Sequence, residues 1–76
     1  MNARRLNKLK TELKQISERI DKLTTFFLSD TYKNLPLYEK ELLNRQAEGM
    51  RVYIYYLNKR VKLYADVIRR DIKNAK

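Results

Sequence analysis

The sequence contains no cysteine, no histidine and no tryptophan among its 76 residues. Without cysteine, the chain can form neither disulfide bonds nor thiolate metal sites. Without histidine, it lacks the usual general base near neutral pH and the commonest metal ligand. An enzyme made from these residues would depend on carboxylates, lysines and tyrosines. We therefore expect a binding protein that uses no catalytic residue, metal ion or cofactor.

Glycine and proline are almost as scarce, because Gly49 and Pro36 are the only ones. A β-protein needs many tight turns, and such turns depend on these residue types. We therefore predict a single all-α domain over residues 1–76. No apolar run approaches the roughly 18 residues that span a membrane, and the basic start lacks the apolar core of a secretory signal. The expected location is the cytoplasm, either of a bacterium or of an infected host cell.

Apolar residues recur at alternating intervals of three and four in the first third of the chain. This heptad pattern is typical of a helix packed in a coiled-coil seam. It predicts a helix over about residues 4–28, with these seam positions: Leu6, Leu9, Leu13, Ile16, Ile20, Leu23 and Phe27.

The pattern stops at Ser29, where Ser29 and Asp30 offer a helix N-cap. Pro36 suits the first turn of a following helix. We predict a bend over residues 29–36 that contains a short helical turn, and a second helix over about residues 37–74. The two long helices then form an antiparallel, coiled-coil-like hairpin. The predicted seam of the second helix is Leu43, Gln46, Met50, Tyr53, Leu57, Arg60 or Val61, Tyr64, Val67 or Ile68, and Ile72.

The second helix has more apolar residues than one seam needs. The surplus set is Leu42, Val52, Ile54, Tyr55, Tyr56 and Leu63. A helix that is apolar over so much of its circumference usually has two partners. A second copy of the chain is the natural candidate, so we expect a homo-oligomer. Gly49 costs about 1 kcal/mol relative to alanine inside a helix. It is either tolerated there or marks the close approach of another backbone or a ligand.

The net charge of +9 lies at the two ends of the sequence. Residues 1–10 carry four bases and no acid, residues 59–76 carry seven bases and two acids, and the stretch between them is neutral. A hairpin brings both ends together, and such a positive field attracts phosphate groups. The alternative is that these side chains only solubilise exposed helices.

Arginines and tyrosines supply the candidate binding residues. The guanidinium group binds phosphate in a fork geometry, and the candidates for phosphate contact are Arg4, Arg5, Arg60, Arg69 and Arg70. Tyrosine beside a basic residue suits base stacking and protein interfaces equally. The candidates for stacking or interface contact are Tyr32, Tyr55, Tyr56 and the polar seam residue Gln46. The alternative for Gln46 is a hydrogen bond across the hairpin or to its own copy in a dimer.

The stretch from Ile16 to Arg60 resembles a family of very small proteins from crAss-like and other tailed phages, which mostly carry no assigned function. The resemblance implies a helical hairpin and a phage or prophage origin. It is carried by Arg19-Ile20-x-x-Leu23, by Phe27-x-Ser29-x-x-Tyr32-x-x-Leu35, and by Glu41-Leu42-Leu43-x-x-Gln46-x-x-x-Met50-x-x-Tyr53-x-x-x-Leu57-x-x-Arg60.

The order Gln46, Gly49, Met50 is also similar to the hairpin domain of phage anti-CBASS and anti-Thoeris sponges. Those proteins assemble from helical hairpins and sequester cyclic nucleotide immune signals. Their Tyr-Arg near the N-terminus, their Ile-Lys-x-x-Gly and their Arg-Trp before the second helix are missing here, so no ligand-binding residue carries over. The resemblance implies an anti-defence protein that sequesters a phosphate-bearing cyclic nucleotide in pockets between protomers.

Two other functions are compatible with the sequence. The first is a protein-blocking inhibitor of a host defence complex such as CRISPR, although inhibitors of that kind are more often acidic. The second is a non-specific nucleic-acid-binding protein whose basic end lies on the backbone, with an affinity that falls steeply with salt.

Overall fold

The computed structural model describes the backbone of residues 2–74 and the side chains of residues 2–73. Within these residues the chain forms three helices and no strand: α1 (Ala3–Phe27), α2 (Asp30–Lys33) and α3 (Leu37–Asn74). α1 and α3 pack against each other as an antiparallel hairpin, and α2 forms the bend. The molecule is a rod of 62 × 15 × 14 Å. This confirms the predicted all-α hairpin.

Local hydrogen bonds define where each helix begins. Asn2 caps α1, because its side-chain oxygen accepts a hydrogen bond of 2.8 Å from the backbone N–H of Arg5. Ser29 caps α2 in the same way by accepting from Tyr32 N–H at 3.2 Å. The carbonyl of Pro36 accepts from Lys40 N–H at 3.1 Å, which starts α3. The side-chain bonds from Asn2 and Ser29 satisfy donors that the first turn of a helix otherwise leaves unpaired, whereas the bond to Pro36 is the first regular bond of α3.

The core is a narrow seam between α1 and α3. Leu6 and Ile20 on α1 are buried against this seam, as are Ala47 and Leu57 on α3. Half-buried apolar residues fill the positions between them on both helices: Leu9, Leu13, Ile16, Leu23 and Phe27 on α1, and Leu43, Met50, Ile54 and Val61 on α3. The heptad positions predicted for α1 are therefore the residues that pack against α3.

The predicted seam of α3 was wrong in the middle of the helix and near its end. Gln46 is exposed and Tyr53 is 44% exposed, whereas Ala47, at 1% exposure, and the half-buried Ile54 lie in the seam. The small side chain of Ala47 lets the two helices approach closely. The last predicted seam positions lie in the part of α3 that extends past α1: Tyr64, Val67 or Ile68, and Ile72, which is 70% exposed.

α3 is longer than its partner and extends past it. α1 has 25 residues and α3 has 38. Tyr53 donates a hydrogen bond from its hydroxyl to the Glu12 carboxylate, so these two residues lie at the same level of the hairpin. Counting back along α1 and forward along α3 from this contact, Ala3 lies level with about Lys62. Residues 63–74, here called the projecting segment, therefore extend about 18 Å beyond α1.

The projecting segment changes the predicted distribution of charge. Arg4 and Arg5 were expected to lie at the same end as all the C-terminal bases. Arg60 does lie level with Arg5, but Arg69 and Arg70 belong to the projecting segment and lie beyond the start of α1. The prediction assumed two helices of equal length, whereas α3 is longer than α1. Among the described residues, no helix contains an apolar segment that is long enough to cross a membrane.

The seam can be tested with two adjacent substitutions. We expect Ala47→Leu to destabilise the protein by about 1–3 kcal/mol, because the larger side chain overpacks a closed contact between α1 and α3. The matched control Gln46→Leu adds a leucine at the exposed neighbouring position and should change stability by less than about 0.5 kcal/mol. Urea unfolding followed by far-UV circular dichroism measures both. Equal destabilisation by the two variants would contradict this seam.

Candidate functional site

Five exposed basic side chains lie near the level of the rod at which α1 begins. We call them the open-end cluster: Arg4, Arg5 and Lys8 on α1, and Lys59 and Arg60 on α3. The cap at Asn2 fixes the first turn of α1, and the seam sets the level of α3 beside it. The hairpin thus brings bases from both ends of the sequence to the same level.

Two shallow grooves lie on the α1 side of this cluster. One, of about 320 Å³, is lined by Asn2, Arg4, Arg5 and Lys8. Arg4 and Lys8 also line the neighbouring groove of about 380 Å³, together with Asn7, Thr11, Glu12 and Gln15. The first turn of α1 has no acidic residue, so the positive end of the helix dipole adds to the charge of the side chains. This surface can bind a phosphate group through charge-assisted hydrogen bonds.

Aromatic rings alternate with bases along α3. The ammonium group of Lys59 lies 4.8 Å from the centre of the Tyr55 ring, and the guanidinium group of Arg60 lies 5.7 Å from that of Tyr64. Tyr55 and Tyr56 contact each other edge to face at 5.1 Å. Both remain more than half exposed. Stacking surfaces and cations therefore lie next to each other, as nucleotide binding requires.

A third groove lies at the bend, at the other end of α1. It has a volume of about 520 Å³ and is lined by Tyr32, Leu37, Lys40, Glu41, Asn44 and Arg45. The Tyr32 hydroxyl accepts a hydrogen bond of 3.1 Å from the side-chain amide of Asn44. Lys40 lies 5.7 Å from the centre of the Tyr32 ring. We call this the bend groove.

The Tyr32 ring is held in a fixed orientation. Phe27 contacts it edge to face at 4.9 Å, and Phe26 does so at 6.0 Å. Together with the hydrogen bond from Asn44, these contacts leave little freedom for the ring to rotate. The bend groove therefore offers a pre-positioned aromatic surface with Lys40 and Arg45 beside it. A fixed ring loses little conformational entropy when a ligand stacks on it.

The structure does not gather the predicted site residues into one place. Arg4, Arg5 and Arg60 lie at the open end, and Tyr32 lies at the bend, about 37 Å away along α1. Tyr55 and Tyr56 are in the middle of α3. The remaining three are exposed and line none of the three grooves: Gln46 on the first half of α3, and Arg69 and Arg70 on the projecting segment. Arg69 also lies 3.9 Å from the carboxylate of Asp66.

Three polar residues of α3 that line the bend groove were not predicted from the sequence. Lys40, Asn44 and Arg45 come from a stretch whose net charge is zero, so composition gave no indication of them. Their spacing of four and five residues puts them on one side of the first turns of α3. That spacing, next to a tyrosine in the bend, was the signal available. No cluster of three potential metal-ligating side chains occurs in the described part of the chain.

The profile of the Sequestin family matches residues 4–63. The chain belongs to the Sequestin family. The family's name indicates a sequestering role, which requires the binding of a partner. The matched region includes both helices of the hairpin and ends at Leu63, where the projecting segment begins. No curated protein and no solved structure matches this Sequestin chain.

Removal of two charges tests whether the open-end cluster is a local anion site. We expect the double variant Arg4→Gln/Arg5→Gln to bind inorganic pyrophosphate about tenfold more weakly or worse, because each lost charge-assisted hydrogen bond contributes roughly 1.5–3 kcal/mol. The control, Arg19→Gln/Lys22→Gln, removes the same net charge from exposed positions of α1 outside both grooves. Isothermal titration calorimetry measures the affinities. An equal loss in both variants would mean that only the net charge matters.

Proposed function

We propose that this Sequestin chain is a phage anti-defence protein that sequesters a phosphate-bearing cyclic nucleotide used by bacteria as an immune signal. One observation carries the proposal: in a family named for sequestration, the chain has a groove at its open end that is lined by Arg4, Arg5 and Lys8 without an acidic residue. Such a groove favours an anion with several phosphate oxygens.

The bend groove supports a nucleotide as the ligand rather than a simple anion. A nucleotide needs a flat ring to stack on and a cation for its phosphate. Tyr32 supplies the ring, and Lys40 and Arg45 supply the charge. The volume of about 520 Å³ lies within the range typical of small-molecule sites.

The grooves are open on one side, so a single chain would leave much of a bound ligand exposed to solvent. A bound small molecule usually loses most of its surface to the protein. A single rod only 15 Å across cannot enclose a dinucleotide. We therefore place the complete pockets between protomers, where a second chain closes the groove from the other side.

Sequestration also fits the chemistry that the chain has. A sponge needs tight binding and a protein concentration above that of its ligand, but no bond needs to break. The absence of histidine and cysteine costs such a protein nothing. An exposed array of arginine, lysine and tyrosine is sufficient for binding phosphates and bases.

Native mass spectrometry with a panel of cyclic di- and trinucleotides tests this function. We expect one of them to remain bound at a fixed ratio of ligand to chains. Arg4→Gln/Arg5→Gln should lose the ligand, whereas Arg19→Gln/Lys22→Gln should retain it. If no cyclic nucleotide binds at micromolar concentration, the proposed ligand class is wrong.

The exposed charge of the open-end cluster favours one alternative, non-specific binding of nucleic acid. The two functions differ in their dependence on salt. The logarithm of the affinity for double-stranded DNA falls with the logarithm of salt concentration with a slope of about −0.9 per phosphate contacted. A cyclic dinucleotide has two phosphates, so we expect a slope no steeper than about −2. A much steeper slope with DNA, together with no cyclic nucleotide binding, would favour the alternative.

A further inference from the structure

One side of α3 presents apolar residues that the described chain leaves largely exposed. Tyr53 is 44% exposed and the four large side chains around it are 51–60% exposed. Apart from the neighbouring backbone of α3 itself, no heavy atom lies within 4 Å of the position that a Cβ on Gly49 would occupy. We call this surface the outer face: Leu42, Gly49, Val52, Tyr53, Tyr56 and Leu63.

The outer face is as large as the largest apolar patch that a monomeric protein usually exposes, and such patches are often functional. It extends about 32 Å along α3, and its side chains expose on the order of 500 Å² of mainly apolar surface. Two copies of the face would bury about 1,000 Å² in total, which is the lower limit for a specific interface. The area is therefore sufficient for a small dimer interface.

We propose that a second copy of this chain covers the outer face, with the two α3 helices antiparallel and centred between Val52 and Tyr53. A two-fold interface must be complementary to itself. When α3 is reversed about this centre, Leu42 takes the position of Leu63 and Gly49 takes that of Tyr56. The apolar positions of the face thus map onto each other, and no other protein is needed to explain them.

The reversal pairs the smallest residue of the face with one of its largest. Gly49 of one copy lies opposite Tyr56 of the second copy, so the ring can occupy the open space where a Cβ is missing. Glycine destabilises a helix interior relative to alanine. Close packing of a ring from the second copy supplies a reason for Gly49 at this position.

Charges along one edge of the outer face favour the antiparallel direction. Glu41, Glu48, Lys59 and Lys62 are all exposed and follow one another on the same side of α3. In an antiparallel pair, the glutamates of one copy lie beside the lysines of the other. In a parallel two-fold pair, this edge of one copy lies against the opposite edge of the other, so the glutamates and lysines do not meet. Complementary charge on this edge therefore selects one orientation.

This arrangement also deepens the proposed function, and in this respect it rests on that function. Reversal about the same centre brings Arg69 of one copy level with Pro36 of the second copy. The projecting segment of each chain then reaches the bend groove of the other. The ligand site would contain Tyr32, Lys40 and Arg45 from one copy and bases from the other.

Single-cysteine variants test the pairing without any ligand, because the natural chain has no cysteine. A short bis-maleimide joins thiols that lie close together. Val52→Cys should crosslink with itself. Leu42→Cys should not, since its two copies lie about 32 Å apart. Leu42→Cys co-expressed with Leu63→Cys should crosslink. Each positive pair should give at least about tenfold more covalent dimer than the control Lys14→Cys, because paired thiols have effective concentrations in the millimolar range.

Two crosslinking results overturn the proposal. Efficient self-crosslinking of Leu42→Cys would show a parallel pair. Yields at the level of Lys14→Cys for every variant would show that a second copy does not cover the outer face. Because no nucleotide is present, either result leaves the ligand proposal to its own test, and failure of the ligand leaves the crosslinks unchanged.

A second measurement distinguishes this specific contact from non-specific association of apolar surfaces. Gly49→Leu adds apolar surface, yet it should weaken the dimer at least about tenfold, since the new side chain fills the space for Tyr56. Arg51→Leu, on the side of α3 away from the outer face, should leave the dimer constant unchanged. Sedimentation equilibrium measures both, with circular dichroism to verify the helices. A tighter dimer for Gly49→Leu would contradict the proposed pairing.

Discussion

Close packing between α1 and α3 is the constraint on which the other features of this molecule depend. Ala47 and Leu57 are almost completely buried, and a seam this narrow has few alternative registers. The register places Arg5 level with Arg60 and so forms the open-end cluster. The same register determines how much of α3 extends beyond α1. The open-end cluster and the projecting segment therefore both follow from one row of apolar contacts.

The sequence was sufficient to predict α1, the bend and the hairpin. The heptad from Leu6 to Phe27 left only one face of α1 that could pack against a partner helix. Ser29 provided a local cap that needed no tertiary contact. α3 was harder because it has two adjacent apolar stripes. The prediction followed the heptad spacing through Gln46 and Tyr53, although the neighbouring Ala47 and Ile54 are the more hydrophobic residues. The choice depends on how closely α1 approaches, which is a property of the packed pair.

The candidate site was predicted only in part, for a similar reason. Net charge identified Arg4, Arg5 and Arg60 because they lie in basic segments of the sequence. It could not identify Lys40 and Arg45, whose charges are balanced by nearby glutamates in the sequence. Their proximity to Tyr32 arises from the bend, and the hydrogen bond from Asn44 that orients this ring joins residues twelve positions apart.

The unequal lengths of α1 and α3 give the hairpin a gradient of local stability. Isolated helices as short as the projecting segment are marginal in water, so this segment stays helical chiefly because it continues a helix already formed in the seam. Opening of its backbone hydrogen bonds then costs less free energy than opening near Leu57, and amide hydrogens along α3 exchange faster with distance from the seam. Any contact that covers the projecting segment would slow this exchange, so the end of α3 reports whether the chain is bound.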